Sequence, residues 1–514
     1  MQSALGYRML CNKALFFLVL VSALAFSSCT LHRKSGGGGG GGGGTATVSF
    51  TLIADTLPAN PSILSFKVSV SSVVLTPASG STQTLTPATA VVDLMRLQSD
   101  TAFLGKLTNV PSGSYTIKVA FSNPVITFLN DTASAITAGS ASCASAAVCV
   151  FSLSASGTPT IGSFTVNVTA SGQLGVGIDF NLNNAISLSS GALSVNFNPS
   201  SPVLSAFTLP RSNANLGNNQ LDLIEDFTGV VALNGNNVTL TSPTRGTLTV
   251  VNNSSSFFDP SPDATICATP ATFSCVVSGQ VASVDAVLNS DGTLSLKEFE
   301  PLFSTSQDLV EGTVFSVTGN GTQFAMTVAD KTQAASGSLI TAVNTGALLT
   351  VNLSPSVKPF LVDTKGLLVA NAFPSSFSNF ATQTTTAAIH DGQTVSVHVT
   401  ALTTASGTTP ASATVDTVIL RWSRFRATVV SATSSVVNVN ALPSYFNASS
   451  GFAFVVQGFF NGSPGSDGVT NLDGIATNAG SVTANQPVGL RALYLQNTTG
   501  SANPAFFAAK MRQP

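Results

Sequence analysis

Hydrophobic and polar residues alternate along most of the chain after residue 45. In "SYTIKVAF" this alternation places Tyr115, Ile117, Val119 and Phe121 on one face of an extended strand. Two later segments, "FTVNV" and "LGVGIDF", repeat the pattern with Phe164, Val166, Val168, Leu174, Val176, Ile178 and Phe180. Helical periodicity is nearly absent, apart from one expected turn within "DLMRLQSDTAFLGKL". The pattern predicts an all-β protein of sandwiches and small barrels.

A first β-sandwich is expected over residues 46–199, with the ordered landmarks "SFKVSVSSVVLTP", "VVDLMRLQ", "LTNVPSGSYTIKV" and "GIDFNLNNAISL". In the turn before Tyr115, proline restricts φ, glycine tolerates unusual φ values, and the tyrosine hydroxyl is expected to cap the corner. These features resemble the domain of unknown function 4382 family of exported bacterial proteins. The proline–glycine–tyrosine turn is also similar to that of transthyretin-like sandwiches. The resemblance implies a transthyretin-like or Ig-like β-sandwich and no activity; it departs at "LIADTLPAN", where Asp55 matches the family only partly.

After an expected linker over residues 200–223, a second pattern begins. "FTGVVALNGNNVTLTSPTRGTLTVV" predicts a hairpin around Asn234–Gly235, and "VSGQVASVDAVLNSDGTLSLKEFE" completes the unit. The theme restarts at "VEGTVFSVTGNGTQFAMTV" and at "FRATVVSATSSVVNVNA". Strand, turn, strand, Gly-Gln and an outgoing strand resemble the domain of unknown function 5666 family, which is often repeated in tandem. The resemblance implies small β-barrel-like domains at residues 224–302, at 309–422 with an insertion, and at 423–514 as a degenerate copy.

The N-terminus is similar to a bacterial lipoprotein signal. Arg8 and Lys13 precede the apolar run "ALFFLVLVSALAF", which is shorter than the roughly 20 residues of a membrane-spanning helix. Small residues then lead to Cys29, so we expect residues 1–28 to be removed and Cys29 to carry lipid. Phe26 stands where such signals usually have leucine, which leaves ordinary secretion as the alternative. Thr30, where an aspartate would signal inner-membrane retention, favours the outer membrane.

Residues 29–45 are expected to be a flexible tether, since nine consecutive glycines, Gly36–Gly44, have no side chains to pack and a high entropy of disorder. In the whole chain, charged residues make up 8%, against about 25% in typical proteins. Ser, Thr, Asn and Gly are expected to solvate the surface instead. The net charge of −2 gives no basic stripe, so we predict no nucleic-acid partner.

Four cysteines of the expected mature chain form two local pairs. Cys143 with Cys149, and Cys267 with Cys275, bracket short segments without nearby histidines in zinc spacing. In an oxidising compartment we predict that each pair forms a disulfide.

The segment "LNSDGTLSLKEFE" looks like a calcium loop, because Asn289, Asp291, Gly292 and Glu298 fall at EF-hand positions. The first ligand position, however, falls on Val287, and the flanks alternate as strands rather than helices. We therefore interpret Asn289–Gly292 as a hairpin turn.

A second acidic loop lies in "GSDGVTNLDG". Its Asp467, Asn471 and Asp473 are possible ion ligands, but their spacing fits no known motif and a polar turn is the favoured interpretation. We predict no metal and no cofactor.

Catalytic motifs are absent from the sequence: it has no HExxH, no GxSxG and no Walker loop. Two carboxylate pairs, Glu225–Asp226 and Glu298/Glu300, are adjacent or nearly adjacent in the sequence and are interpreted as solvated strand ends. One binding candidate remains in "RWSRFR", where Trp422, Arg424 and Arg426 would share a strand face suited to a sugar ring and acidic groups. The favoured alternative is a tryptophan packed at a domain junction with its arginines in water.

These observations predict a non-catalytic display, binding or structural lipoprotein of the bacterial cell envelope. Its expected partners are the membrane, through the lipid on Cys29, and a polysaccharide or an envelope protein. The alternative is an unrecognised secreted hydrolase or polysaccharide-processing enzyme.

Overall fold

The computed structural model describes residues 44–56, 62–87, 91–166, 173–209, 220–289, 292–447, 453–460, 468–475, 478–495 and 504–513. Within Gly44–Pro514 these residues form one compact unit. The expected signal segment, Cys29 and all of the tether before Gly44 lie outside the described residues.

The first domain consists almost entirely of strands. They are β1 (Thr45–Thr56), β2 (Ser62–Pro77), β3 (Gln83–Leu85), β4 (Val91–Asp93), β5 (Ala102–Pro111), β6 (Gly113–Leu129), β7 (Ile136–Ala138), β8 (Ala141–Cys143), β9 (Val148–Ser152), β10 (Ser156–Gly157), β11 (Thr160–Val166), β12 (Gln173–Asn181), β13 (Ile186–Ser189), β14 (Ala192–Val195) and β15 (Leu204–Leu209). A 3₁₀ turn, Arg96–Gln98, lies in the segment where one helical turn was expected, and a short helix spans Leu182–Ala185.

Two sheets of this domain face each other across a shared core. One has the order β15-β12-β1-β5, with β1 and β12 parallel; the other is centred on the long antiparallel pair β2 and β6. A third, smaller sheet has the order β13-β14-β7-β8. Strand β15 adds residues 204–209, from the expected linker, to the edge of the first sheet.

Alternation along β6 and β12 produces this core. Every second residue from Tyr115 to Phe121 is buried, and the Phe121 and Phe180 rings meet edge-on with centroids 5.2 Å apart. The Tyr115 hydroxyl donates to the carbonyl oxygen of Pro111 at 2.8 Å, as expected for the corner. The hydrophobic pattern therefore predicted the buried face of β6. In "FTVNV", Val166 is buried, Phe164 is half-buried and Val168 lies outside the described residues.

The rest of the described chain forms three six-stranded sheets. Their strands are β16 (Gln220–Asn234), β17 (Asn237–Ser242), β18 (Gly246–Val251), β19 (Phe257–Phe258), β20 (Val281–Asn289), β21 (Leu294–Phe303), β22 (Leu309–Val317), β23 (Gln323–Thr332), β24 (Leu348–Leu353), β25 (Leu361–Val362), β26 (Thr394–Thr403), β27 (Ala411–Arg421), β28 (Ser423–Ala432), β29 (Val436–Asn440), β30 (Phe454–Gly458), β31 (Asn471–Asp473), β32 (Pro487–Tyr494) and β33 (Phe506–Arg512).

All three sheets have the same strand order. The first is β18-β17-β16-β20-β21-β19, the second β24-β23-β22-β26-β27-β25, and the third β30-β29-β28-β32-β33-β31. Parallel pairing of β24 with β27 and of β30 with β33 closes the second and third sheets into five-stranded barrels. In the first sheet a single pair, Val251 with Ser295, joins β18 to β21. We call these units barrels 1, 2 and 3. The predicted fold class, all-β with barrel-like domains, is confirmed.

One turn is built in the same way in each barrel. The carbonyl oxygens of Gln280, Gln393 and Gln486 accept the amides of Val231, Val314 and Val429 at 2.9, 2.8 and 3.0 Å. The preceding residue has positive φ each time: 91° in Gly279, 92° in Gly392 and 61° in Asn485. Asparagine is one of the few side chains that tolerate this region, so the third barrel keeps the turn without its glycine.

Barrel 2 carries an insertion between β25 and β26. It contains the short helices Val369–Ala372 and Pro374–Ala381 and a 3₁₀ turn, Thr386–Ala388. Further 3₁₀ turns lie at Phe273–Cys275, Ser444–Phe446 and Ala479–Ser481. None of the helices in the described residues has the length and apolar character that crossing a membrane requires.

Candidate functional site: a buried charge network

Charged side chains come together where the first domain and the three barrels meet. The whole chain has only 20 Lys and Arg and 22 Asp and Glu. Thirteen of these are joined by salt bridges into one network in the described residues, and no side chain in it is more than 15% exposed. The members are Arg96, Asp100, Asp226, Arg245, Asp285, Glu298, Glu300, Glu311, Asp363, Lys365, Arg421, Arg424 and Arg491.

Arg421 joins barrels 1 and 2. Its guanidinium pairs with Asp363, with Glu311 Oε2 at 3.2 Å and with Glu300 Oε2 at 3.5 Å, and it donates to Ser283 Oγ at 3.2 Å. Burial, followed by the negative charge of Asp363, raises the pKa of Glu300 well above its usual range, although Arg421 acts in the opposite direction. Glu300 is therefore a buried carboxyl that favours its neutral form.

The Asp226 side chain connects barrel 1 with barrels 2 and 3. Lys365 Nζ lies 3.1 Å from Oδ1 and Arg491 Nε lies 3.0 Å from Oδ2, which also accepts from Arg424. Burial opposes ionisation of Asp226, but Arg491, Lys365 and Arg424 together hold its pKa well below the usual range. Asp226 therefore stays charged in the interior because three cations surround it.

The backbone of Asp226 is also bound on both sides. Its φ of 47° lies at an irregularity of β16. This conformation lets its amide donate to Asp285 Oδ1 at 2.8 Å while its carbonyl accepts from Arg96 at 3.1 Å and from Arg245 at 2.6 Å. A non-glycine residue rarely adopts such backbone angles, and here charged hydrogen bonds stabilise it.

The first domain enters the network through the turn Arg96–Gln98. Arg96 Nη1 lies 3.2 Å from Glu311 Oε1. From barrel 3, Arg512 donates to the carbonyl oxygens of Leu97 and Asp100 at 2.9 and 3.0 Å. A Cβ at Gly489 would lie only 2.5 Å from the carbonyl oxygen of Gln98, so this close approach requires glycine. Hydrogen bonds thus connect the first domain to barrel 3 between residues 412 and 415 positions apart in the chain.

The three barrels carry different ionisable side chains at one equivalent position. The fifth residue after the glutamine of the shared turn is Asp285 in barrel 1, His398 in barrel 2 and Arg491 in barrel 3. In the network, the central strands β16, β20 and β21 of barrel 1 contribute acids, and barrel 3 contributes the bases Arg424 and Arg491. Barrel 2 contributes both signs. The repeated scaffold therefore presents complementary charges to its own copies.

Two sequence interpretations are wrong at this site. Asp226, Glu298 and Glu300 were interpreted as solvated strand ends, but they are only 1%, 8% and 1% exposed. Each lies within salt-bridge distance of a cation supplied by another barrel. The side chain of Glu225 lies outside the described residues. Burial with a partner, rather than solvation, explains why such charges are tolerated within strands.

The tryptophan–arginine candidate is also corrected. Trp422 is 0% exposed and belongs to the core of barrel 2, with Arg491 5.5 Å from its ring centroid. Arg424 pairs with Asp226 instead of facing water, and Arg426 is half-buried. The sequence prediction of packing at a junction is thus right for the tryptophan, while the prediction of solvated arginines is wrong for Arg424. No exposed platform for a sugar forms here, because the tryptophan ring is enclosed.

The first of the two acidic loops is a hairpin turn, as the sequence predicts, and the described part of the second is a buried strand. Asn289 accepts the amide of Gly292 at 2.9 Å between β20 and β21, as in a hairpin, while Ser290 and Asp291 lie outside the described residues. The interpretation of the second loop as a polar turn is wrong for Asn471 and Asp473, because both are buried in strand β31 and Asp473 pairs with Arg512 at 2.6 Å. Asp467 is outside the described part. Among the described residues, no group of three or more His, Cys, Asp or Glu side chains is arranged to hold a metal ion.

Both predicted disulfides are present. Cys143–Cys149 lies in the first domain and Cys267–Cys275 in barrel 1. Two histidines do not join the charge network: His398 Nδ1 is 2.7 Å from Asp416 Oδ1 at a partly exposed position of barrel 2, and His390 lies in the insertion of that barrel.

The network leaves little space for a ligand. Two cavities flank Arg96, with volumes of about 60 and 40 Å³, room for a few water molecules each. The charges of the network pair with one another across the contacts between the first domain and the barrels. The arrangement therefore stabilises packing between these domains.

Comparison of the chain with protein-family models finds no match, and neither the curated proteins nor the solved structures contain a match. The resemblances to the two families of unknown function therefore remain predictions from the sequence.

Proposed function

We propose that this chain is a non-catalytic display or structural protein of the bacterial cell envelope, held at the outer membrane by lipid on Cys29. The observation that carries the proposal is the buried charge network. It connects the first domain to all three barrels within one compact unit, as a stiff presenting body requires. The glycine run before it would separate that body from the membrane.

The chemistry of the network supports this class of function over the hydrolase alternative. A glycosidase needs two carboxyl groups that face a substrate cleft. In the described residues, the carboxylates that come together are enclosed and paired with Arg or Lys. A polar cluster of that kind stabilises an interface, and no observation at this site favours hydrolysis.

Labelled-lipid incorporation tests the anchor. Cells that express the full chain or the Cys29→Ala variant are fed a labelled fatty acid, and membrane and soluble fractions are separated. We expect label and membrane association with cysteine and neither with alanine. A wild-type chain that matures without label, or that is recovered unprocessed from the cytosol, would refute the proposal.

A further inference from the structure

A polar cleft lies beside the insertion of barrel 2, away from the charge network. The helix Pro374–Ala381 and the turn Thr386–Ala388 form one wall, and Leu495 of barrel 3 lies on the other side. The cleft has a volume of about 180 Å³. A protein cavity of about 150 Å³ accommodates benzene, so a six-membered ring fits in this space.

One residue that lines the cleft has a buried hydroxyl without a partner in the described part of the chain. Ser376 is 2% exposed, and its Oγ has no hydrogen-bond partner among the described residues. Buried hydroxyls in folded proteins nearly always have a partner, which is a protein group, a water molecule or a ligand. Ser376 is one of the residues that line the cleft, so a ligand bound there would lie beside this side chain.

The remaining polar lining is uncharged and well positioned. Asn379 and Gln383 contribute amides, and His390 contributes an imidazole whose pKa is lowered by burial. Gln393 fixes the adjoining turn: its Oε1 accepts the His390 amide at 2.8 Å, and its Nε2 donates to the carbonyl oxygen of Tyr494 at 2.8 Å. The cleft is therefore formed before any ligand enters.

We propose that this cleft binds a neutral sugar ring. Serine, two amides and a neutral imidazole offer donors and acceptors to several hydroxyl groups at once, while Phe380 and Leu495 present apolar surface to the carbon face of the ring. None of the described residues that line the cleft is Asp, Glu, Lys or Arg, so a charged ligand would be buried there without a counter-charge from them. The inference goes beyond the proposed display function by naming a ligand class, and it does not depend on the lipid at Cys29.

Saturation-transfer NMR on the purified full chain tests the binding, with glucose, galactose and N-acetylglucosamine as probes and charged glucuronate for comparison. We expect at least one neutral sugar to bind and glucuronate to bind more weakly. Ser376→Ala and Asn379→Ala should each raise Kd about fivefold, the effect of one lost hydrogen bond. The matched control is Asn371→Ala, because Asn371 is exposed on the same insertion outside the cleft and should leave Kd unchanged.

A second variant separates binding from folding. Ala387 is exposed at the rim of the cleft, so Ala387→Trp fills its mouth without disturbing the core and should abolish binding at an unchanged Tm. Absence of binding by all three neutral sugars, preference for glucuronate, or binding that persists in Ala387→Trp would each overturn the proposal. Because the assay uses purified protein, its result is independent of the outcome for the lipid anchor.

Discussion

Replacing Arg421 with methionine removes the cation that joins barrels 1 and 2. The side chain is 1% exposed, so the carboxylates around it have no bulk water to replace it. At an effective dielectric constant of 20, two charges 3.2 Å apart, as for Arg421 and Glu311, attract by about 5 kcal/mol. Glu311 keeps Arg96, but Asp363 loses its only salt-bridge partner in the described residues. Removing one member of a buried pair destabilises proteins by about 3–5 kcal/mol, and we expect Arg421→Met to do so at pH 7.

Urea unfolding measures this loss, with the fluorescence of Trp422 as the signal, since it is the single tryptophan and follows Arg421 in the buried junction. The matched control is Lys118→Met, which replaces an exposed cation of the first domain and should change the free energy of unfolding by less than about 0.5 kcal/mol. Adding Asp363→Asn to Arg421→Met should recover part of the stability, because the uncompensated carboxylate is then gone.

The effect should also depend on pH with a definite sign. Burial alone would raise the pKa of Glu311, but Arg96 and Arg421 hold it below its usual range. Stability from such a carboxylate is present above its unfolded pKa of about 4.3 and is lost as pH falls through the folded pKa. The difference between wild type and Arg421→Met should therefore be full at pH 7 and shrink below about pH 4. A loss under about 1 kcal/mol at pH 7, or one equal to that of Lys118→Met, would refute the argument.

Three further predictions concern single groups. Burial and Asp363 raise the pKa of Glu300, so its contribution to the free energy of unfolding should fall as pH rises above about 4.5. Glu300→Gln carries no charge and should flatten this fall in urea unfolding measured from pH 5 to 9. Parallel pH curves for the wild type and Glu300→Gln would contradict this expectation. Tyr115→Phe removes the hydroxyl bound to Pro111 and should reduce the free energy of unfolding by about 1 kcal/mol in urea, with an unchanged circular-dichroism spectrum; no loss would mean that the corner bond does not contribute. Replacing both Cys267 and Cys275 with serine should lower the free energy of unfolding in urea by about 2–3 kcal/mol, the value for a short loop; an unchanged free energy of unfolding would contradict it.

The charge network also bears on how repeated modules assemble. The three barrels have the same strand order, so this order alone does not distinguish their places. Acids on the central strands of barrel 1 facing Arg424 and Arg491 of barrel 3 favour one arrangement, because like charges would otherwise be buried together. Buried ion pairs add little net stability compared with apolar packing, but their complementary signs favour the arrangement in which barrel 3 lies beside barrel 1.

The strands could be predicted from local information. Alternation from Tyr115 to Phe121 identified a buried face, and the proline–glycine–tyrosine turn identified the corner bond, because both depend on residues within a few positions of each other. Both disulfides were predicted for the same reason: six and eight positions separate their cysteines.

The site was missed because its partners are far apart in the chain. Glu300 and Arg421 are 121 positions apart, and Asp226 and Arg424 are 198 apart. One signal was available: an ionisable residue stands five positions after the glutamine in each repeat, as Asp285, His398 and Arg491. Aligning the repeats would have identified this position as shared, although not as buried.

By itself, then, the sequence determined the all-β class, the buried face of β6, the Gly-Gln turns of barrels 1 and 2 and the disulfide loops. Only the tertiary structure decided that a chain with few charges encloses many of them at its centre. The physical reason is desolvation: a carboxylate at a strand end is stable in water or beside an arginine, and which of the two applies depends on where the distant arginine lies in the fold.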